Sequence, residues 1–346
     1  MQRKFVTIDD VASDAQCSTA TVSRALNEPD RVSSKTRSRI LESVEKLGYK
    51  PNLRASLLAK GSAGGNICFL LSNRRFIHSV HAHMLQGAAS RAQAEHIQVL
   101  YSTCSYSPDL PSNQIELPKI LSVRGIIDGM IVAGTNYANI IPVLESTGLP
   151  FVVFGNNFVN TSSKLLKNAV YSNDEGGGYQ ATKHLIKLGH KKIRYIGDIN
   201  LPWYIRRFNG YKKAMKEAGL LEFPAVGSFK NDEMQMGITA VETLIANNDE
   251  FSALFVAGDI AAVGAIRALK NVGLEVPNDV SIVGYNDEEA AQLSEPMLTT
   301  ISVPKEEIGA QCVDMLRELI KGDRFKPHAK ILNTELIVRD STQVLL

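Results

Sequence analysis

The stretch Thr7-Ile8-Asp9-Asp10-Val11-Ala12, continued by Ala15-Gln16-Cys17-Ser18 and Thr21-Val22-Ser23-Arg24-Ala25-Leu26-Asn27, decides the reading of this chain. Thr7 with Asp10 three residues on is a capping box that starts a helix. Ile8, Val11, Ala12 and Ala15 recur at helical spacing and form its buried face. Ser18 is a second N-cap, opening a helix from Thr19 to about Leu26 with Val22, Ala25 and Leu26 inward. Its outer face carries Thr19, Ala20, Ser23 and Arg24, which are short or hydrogen-bonding apart from one guanidinium. Two short helices joined steeply by a few residues form a helix-turn-helix, whose second helix enters the major groove of DNA. There Arg24 suits guanine O6 and N7, and Thr19 or Ala20 suits a base edge or a thymine methyl.

A third helix follows, capped by Ser33, with Thr36, Ile40, Val44 and Leu47 as its apolar stripe. Gly48 stands where a left-handed terminator belongs, and Pro51 blocks continuation. Lys35, Arg37 and Arg39 in its first turns suit phosphates, as does the helix N-terminus itself. The run Asn52 to Lys60, NLRASLLAK, is compatible with a short helix that is marginal alone. Two readings of it stand equal on the residues. One is a hinge helix that folds on DNA and pushes a leucine into the minor groove; the other is an ordinary linker.

These pieces, T-I-x-D-V-A, A-T-V-S-R-x-L-N, V-S-x-x-T-R, L-G-Y-x-P-N and A-x-x-L, fall at Thr7 to Ala12, Ala20 to Asn27, Val32 to Arg37, Leu47 to Asn52 and Ala55 to Leu58. In that order and spacing, residues 5 to 60 resemble the headpiece of the LacI/GalR family of transcription regulators. The resemblance implies that Thr19, Ala20 and Arg24 read bases and that Leu58 is an intercalating hinge leucine. The candidate DNA contacts are then Thr7, Ser18, Thr19, Ala20, Thr21, Ser23, Arg24, Asn27, Ser33, Thr36, Arg37, Tyr49, Asn52, Ala55 and Leu58. Two departures stand out. Gln16-Cys17 replaces the usual Gly-Val in the turn, which puts glutamine where positive φ is often needed. Ser56 stands where arginine is common.

Charge follows the same division. The net charge of +2 hides an excess of 11 Lys/Arg over 7 Asp/Glu in residues 1–60, which leaves the remainder slightly acidic. A basic headpiece suits a polyanion. No basic leader with an apolar core precedes it, and no apolar run is long enough to span a bilayer, so a cytoplasmic location is expected. The four cysteines, Cys17, Cys68, Cys104 and Cys312, are scattered without a CxxC and read as reduced thiols.

The body alternates apolar strands with amphipathic helices. Strands are expected at Ile67–Leu71, Ile97–Tyr101, Gly129–Val132, Phe151–Phe154, Ile193–Ile196, Ala253–Val256 and Val280–Val283. Helices such as His83 to Glu95, Glu175 to Leu188, Arg207 to Ala218, Met234 to Ala246 and Ile260 to Val272 separate them. That pattern gives parallel sheets with helices on both faces, better split into two lobes than one. Ligands in such folds bind outside the strand carboxyl ends, and between two lobes that is a cleft able to close. The family resemblance extends here through Leu185 to His190, Arg207 to Tyr211, Asp259 to Gly264, Val276 to Asp287 and Pro296 to Thr300. It implies a periplasmic-binding-protein type I fold of two doubly wound parallel-sheet lobes. The expected division is an all-α headpiece at 1–50, a hinge and linker at 51–65 and an effector-binding, dimerising body at 66–346. Lobe one is expected near 66–173 plus 302–325, and lobe two at 174–297 plus 330–346.

By position in those motifs, Arg207 and Asp259 are the leading effector contacts, with Asn286 and Asp174 next. A guanidinium with carboxylates and amides suits neighbouring sugar hydroxyls. Trp203, the chain's single tryptophan, is read as a loop residue before Arg207, placed to stack on a sugar face. The loop Ser72 to His81 departs from the family's Asn-Pro-Phe-Phe, with Val80 and His81 in place of the aromatics. Arg74, Arg75, Arg206 and Arg207 either surround an anion such as a sugar acid or sugar phosphate, or are solvated and ion-paired between lobes. Arg74 and His78 complete the candidate effector set. His78, His81 and His83 do not share a helix face and have no adjacent acid or thiol, so polar residues at a helix start are expected rather than a metal site. No cofactor is expected.

Enzyme motifs are absent from the sequence. There is no G-x-x-x-x-G-K-[ST] and no G-x-S-x-G, and Glu175-Gly176-Gly177-Gly178 lacks the dinucleotide-loop spacing. The reading is a homodimeric regulator of a pseudo-palindromic DNA operator, most simply a repressor, responding to a sugar or sugar derivative. The rival is a solute-binding protein of transport without DNA regulation. No heptad tail follows Arg339-Asp340, so a coiled-coil tetramer is not expected.

Overall fold

The computed structural model describes residues 6–28, 31–49, 65–74, 79–123, 125–159, 167–230, 232–322 and 328–345, with the main chain but not the side chain of Asn27. Within it the chain divides into two compact units, residues 1–65 with a short segment at 95–98, and the body.

In the first unit α1 spans Ile8–Asp14, α2 Thr19–Asn27 and α3 Ser34–Leu47. Each begins on the cap expected of it. Thr7 and Asp10 form the reciprocal capping box, Ser18 Oγ accepts from the Thr21 amide, and Ser33 Oγ accepts from that of Thr36. Gly48 ends α3 in the left-handed region, with φ 66°. Gln16 has φ 46°, so this turn places a side chain where glycine is favoured, at a cost of about 1–3 kcal/mol. Val11, Ala12, Ala15, Val22, Ala25 and Ile40 make the buried core, with Leu26, Val44, Leu47 and Tyr49 packed on it.

The body holds two main sheets among the described residues. The first contains β1 (Asn66–Ser72), β2 (Gln98–Cys104), β3 (Gly129–Gly134), β5 (Phe151–Phe154), β7 (Ala169–Ser172) and β12 (Ala329–Leu332), in the order β12-β7-β5-β3-β1-β2. Its ladder is parallel from β1 through β3, β5 and β7 to β12. The second runs β13-β11-β10-β9-β8, from β8 (Ile193–Ile196), β9 (Ala253–Val256), β10 (Ser281–Asn286), β11 (Thr299–Ser302) and β13 (Glu335–Ile337). It is parallel except where β13 joins β11. A two-stranded ladder, β4 (Asn136–Tyr137) with β6 (Phe158–Val159), lies beyond the first sheet. Strands such as Cys68 to Leu71 and Ala253 to Val256 are apolar throughout because helices cover both faces.

The chain passes between lobes three times. β7 of lobe one leads into α6 (Asp174–Lys187), which packs on α7 (Pro202–Glu217) of lobe two. β11 of lobe two leads into α11 (Lys305–Lys321), which packs on α4 (Ser79–Ala94) of lobe one. β12 then joins lobe one before β13 returns to lobe two. This corrects the expected division: the tail from 330 is not wholly lobe two, because its first strand extends the lobe-one sheet. Such a short, exposed strand has no periodicity of its own to announce its partner. The helix expected from His83 to Glu95 spans Ser79–Ala94.

A headpiece face and an interlobe cleft

The outward face of α2 presents exposed Ala20 and Arg24 beside half-buried Thr19, Thr21 and Ser23. Ser18 and Thr21 share a 2.8 Å hydroxyl contact, and Ser33 and Thr36 one of 2.9 Å. These four residues therefore order the helix starts while the first-turn amides stay near the surface. The cations divide into two sets. Arg31 is paired with Glu28 and Lys46 with Asp14, whereas exposed Arg24, Lys35, Arg37 and Arg39 have no ion pair among the described residues. Tyr49 packs against the three-helix core, and Thr7 caps α1. The expected contacts at Asn52, Ala55 and Leu58, and the side chain of Asn27, lie outside the described residues.

In the body, strand carboxyl ends of both sheets converge on one cleft. Lobe one contributes Arg74 beyond β1, Val80 and His81 from the start of α4, Phe154, Asn156 and Asn157 at the end of β5, and Ser172 at the end of β7. Lobe two contributes Asp174, then Trp203, Tyr204 and Arg207 from α7, and Glu233 from α8 (Glu233–Ala246). Asn286 at the end of β10 and Val303 beyond β11 complete the lining. The enclosed space is about 50 Å³. Ordinary ligand sites run from about 300 Å³ upward, so the lobes must part to admit more than a few waters. A larger depression of about 710 Å³, between Ile127, Leu149, Phe151 and Leu319, lies at the amino ends of β3 and β5 and is open surface.

Asp174 is the centre of the cleft. Its Oδ2 accepts from Asn156 Nδ2 at 2.6 Å and from Arg206 Nε and Nη2 at 3.1 and 3.0 Å. Its Oδ1 accepts from Ser172 Oγ, Arg207 Nε and Tyr285 OH at 3.3–3.4 Å. Burial pushes this carboxyl up, but Arg207, Arg206 and Asn156 outweigh burial and hold it below the usual carboxylate range. Arg207 donates further to the Ala257 carbonyl at 2.6 Å and to Asn286 Oδ1 at 3.2 Å, and lies flat on Tyr285, 3.7 Å from the ring centre. The close approach of α6 and α7 puts Arg207 there. A Cβ on Gly178 would meet the Arg207 carbonyl oxygen at 2.1 Å, and one on Gly210 the Glu175 carbonyl oxygen at 2.1 Å. Gly178 and Gly210 thus serve helix packing.

Several expectations need correcting. Trp203 is in the first turn of α7, not a loop, and is buried at 7% exposure. It does line the cleft, but the Arg74 guanidinium lies over its ring at 5.5 Å. Asp259 does not line the cleft. It is fully buried, accepting from Thr300 Oγ1 at 2.6 Å and the Glu288 amide at 2.8 Å. Burial, with the charges of Glu288 and Asp287, pushes its carboxyl up to about 8. Of the four arginines expected to surround an anion, Arg206 and Arg207 are both engaged by Asp174; Arg75, like the expected effector contact His78, lies outside the described residues. His83 Nδ1 meets its own helix at the Ser79 carbonyl, while His81 faces Asn157 Nδ2 at 3.2 Å. Sequence reasoning missed Asn156, Asn157, Tyr204 and Glu233. The rule of strand carboxyl ends, applied to Phe151–Phe154 as it was to Ile193–Ile196, points to the first two.

A helix-turn-helix unit followed by a two-lobed, periplasmic-binding-protein-like body with a cleft between its sheets is the build of a ligand-responsive transcription regulator, not of an enzyme. Residues 7–52 match the bacterial regulatory proteins of the lacI family, and residues 182–342 the periplasmic binding protein-like domain. The chain is 32% identical to the HTH-type transcriptional repressor PurR of Haemophilus influenzae (strain PittEE), across 99% of this chain and 100% of that one. Among solved structures it is similar to the lac repressor dimer bound to operator and the anti-inducer ONPF, with TM-score 0.78, 25% identity and coverage of 98% and 100%. It is also similar to the transcriptional regulator CelR–cellobiose complex, with TM-score 0.69, 27% identity and coverage of 97% and 99%. The chain belongs to the LacI family of bacterial regulatory proteins. Among the described residues no helix is long and apolar enough to cross a membrane.

Proposed function

We propose that this protein is a sequence-specific transcriptional repressor, acting as a homodimer on a pseudo-palindromic operator. Its DNA affinity is set by a sugar or sugar derivative held between the lobes. The observation that carries the reading is the pairing, in one chain, of a face with exposed Ala20 and Arg24 beside half-buried Thr19 on a capped second helix with a cleft lined from the carboxyl ends of both sheets. The lac repressor in complex with operator is a dimer, and CelR is in complex with cellobiose; both support the assignment by similarity.

Each headpiece reads one half-site, Arg24 supplying base recognition while Lys35, Arg37 and Arg39 neutralise phosphates. The segment 51–65 carries the connection, with Leu58 as the residue inserted into the minor groove. A ligand that binds one arrangement of the lobes more tightly shifts the population towards it, and by linkage operator and ligand then alter each other's affinity equally. Three crossings between lobes suit a hinge that moves without breaking either sheet. Selection from a randomised duplex pool tests the first half of the reading. Two inverted half-sites at fixed spacing are expected. Salt-sensitive binding with no enriched sequence would leave the solute-binding alternative, to which the match over residues 182–342 by itself also corresponds.

A further inference from the structure

Lys305 stands where a lysine is unfavourable. It opens α11, a helix with no side-chain cap, so its charge meets the positive end of the helix dipole. It is only 8% exposed, and burial pushes its ammonium below the usual lysine range, an effect that Glu288 and Asp287 offset in part. A side chain turned to solvent would avoid that burial. Instead Nζ donates to the main-chain carbonyl of Asn286 and, at 2.9 Å, to that of Asp287.

The two ends of this contact belong to different lobes. α11 follows the second crossing, and its first turn is pressed against α4 of lobe one. A Cβ on Gly87 would meet the Glu306 carbonyl oxygen at 2.0 Å. Asn286 ends β10 of lobe two and Asp287 follows it. Both hold positive φ, 106° and 52°, which asparagine and aspartate adopt more readily than most residues but not freely. Such a turn persists only where its surroundings hold it, and here the ammonium holds both carbonyls. The turn aims the Asn286 side chain, whose Oδ1 accepts from Arg207 Nη2 at 3.2 Å and whose Nδ2 donates to Glu288 Oε1 at 3.0 Å. Arg207 leads on to Asp174, where the first crossing enters α6. One polar relay, Asp174–Arg207–Asn286–Lys305, therefore joins the first crossing to the second.

We propose that Lys305 is a bolt between the lobes, fixing the Asn286–Asp287 turn of lobe two to the lobe-one helix α11 and so setting the closed resting arrangement of the cleft. Parting the lobes slides the start of α11 against the end of β10 and strains both contacts of the ammonium. Losing a hydrogen bond to a charged group shifts a two-state equilibrium by about tenfold or more. The bolt acts on the empty protein, whatever the cleft binds. Trp203 reports the arrangement. It is the single tryptophan and lines the cleft from lobe two with lobe-one Arg74 over its ring, so a quencher in water reaches it more often when the lobes part.

The test measures acrylamide quenching of Trp203 and the melting temperature of the full-length protein, without ligand, for wild type, Lys305→Met and Lys305→Arg. Methionine keeps most of the apolar stem and removes the donors. Lys305→Met should raise the quenching constant about twofold or more, read well below its melting temperature, as a minor open state becomes populated. Lys305→Arg keeps a cationic donor and should stay near wild type. A purely structural lysine would move the melting temperature alone; unchanged quenching in folded Lys305→Met therefore overturns the bolt, as does an equal rise in both variants. Should Lys305→Met leave no folded protein, Lys305→Gln, with a shorter donor, serves instead: a rise in the same direction is expected, and an unchanged constant again overturns the proposal. Under the proposed regulatory function, the loosened variant also changes affinity for the selected operator duplex without ligand. Raised quenching with unchanged operator affinity upholds the bolt and refutes instead the coupling of cleft to headpiece.

Discussion

Replacing Asp259 by asparagine isolates the effect of seating a carboxyl group beyond the reach of water. In the folded chain that group titrates at about 8, against 3.8 when free. Between those values the folded protein holds a proton that the unfolded protein has released. Stability therefore falls as pH rises through that window, by about 1.4 kcal/mol per pH unit, and levels off above it. A shift of about four units bounds the whole effect at roughly 5–6 kcal/mol. Asparagine has the same shape and no proton to lose. Its oxygen accepts from the Glu288 amide and its nitrogen donates to Thr300 Oγ1, so both native contacts survive. Urea unfolding of both proteins, from about pH 5 to about pH 8, gives the comparison. The variant should gain on the wild type by about 1.4 kcal/mol per unit as pH rises. Parallel stability curves would refute the buried neutral carboxyl. A folded variant that loses ligand binding would return Asp259 to the cleft.

Other outcomes follow from the same geometry. Gly178→Ala drives a methyl into the Arg207 carbonyl, so denaturant melts should show a loss of about 1–3 kcal/mol; unchanged stability would contradict the close helix contact. Arg24→Ala should relax selection at one base pair by about 1–3 kcal/mol, whereas a uniform loss over all sequences would make Arg24 a phosphate contact. Lys35→Ala should weaken binding to every duplex and reduce the salt slope by about one; an unchanged slope would remove Lys35 from the phosphate set. Leu58→Ala should lower operator affinity and leave ligand affinity intact, and undiminished operator binding would end its assignment to the minor groove.

The headpiece was legible in the sequence because its determinants are local. Thr7, Ser18, Ser33 and Gly48 each act within one turn of their own position, and each does in the structure what its residue type implies. Even the cost at Gln16 was visible from the missing glycine. Apolar, fully buried strands such as Ala253–Val256 were equally plain. What escaped depends on contacts distant in sequence. Ala329–Leu332 joins lobe one only because β7 offers an edge. Asp259 looked like a ligand contact from its place after a strand, but Thr300 and Glu288, which enclose it, lie far along the chain. The four arginines looked alike as letters. Asp174, more than thirty residues away, separates Arg206 and Arg207, which it engages, from Arg74, whose Nε has no hydrogen-bond partner among the described residues.

The central claim is that the cleft and the headpiece are coupled, and one measurement addresses it most directly. Operator affinity is followed by fluorescence anisotropy at fixed salt, with and without a saturating ligand that perturbs Trp203. Ligand affinity is then measured with and without operator. Coupling predicts the same factor in both directions, in the range of about 5- to 150-fold for an ordinary allosteric free energy. A ligand that fills the cleft and leaves operator affinity unchanged would contradict the account.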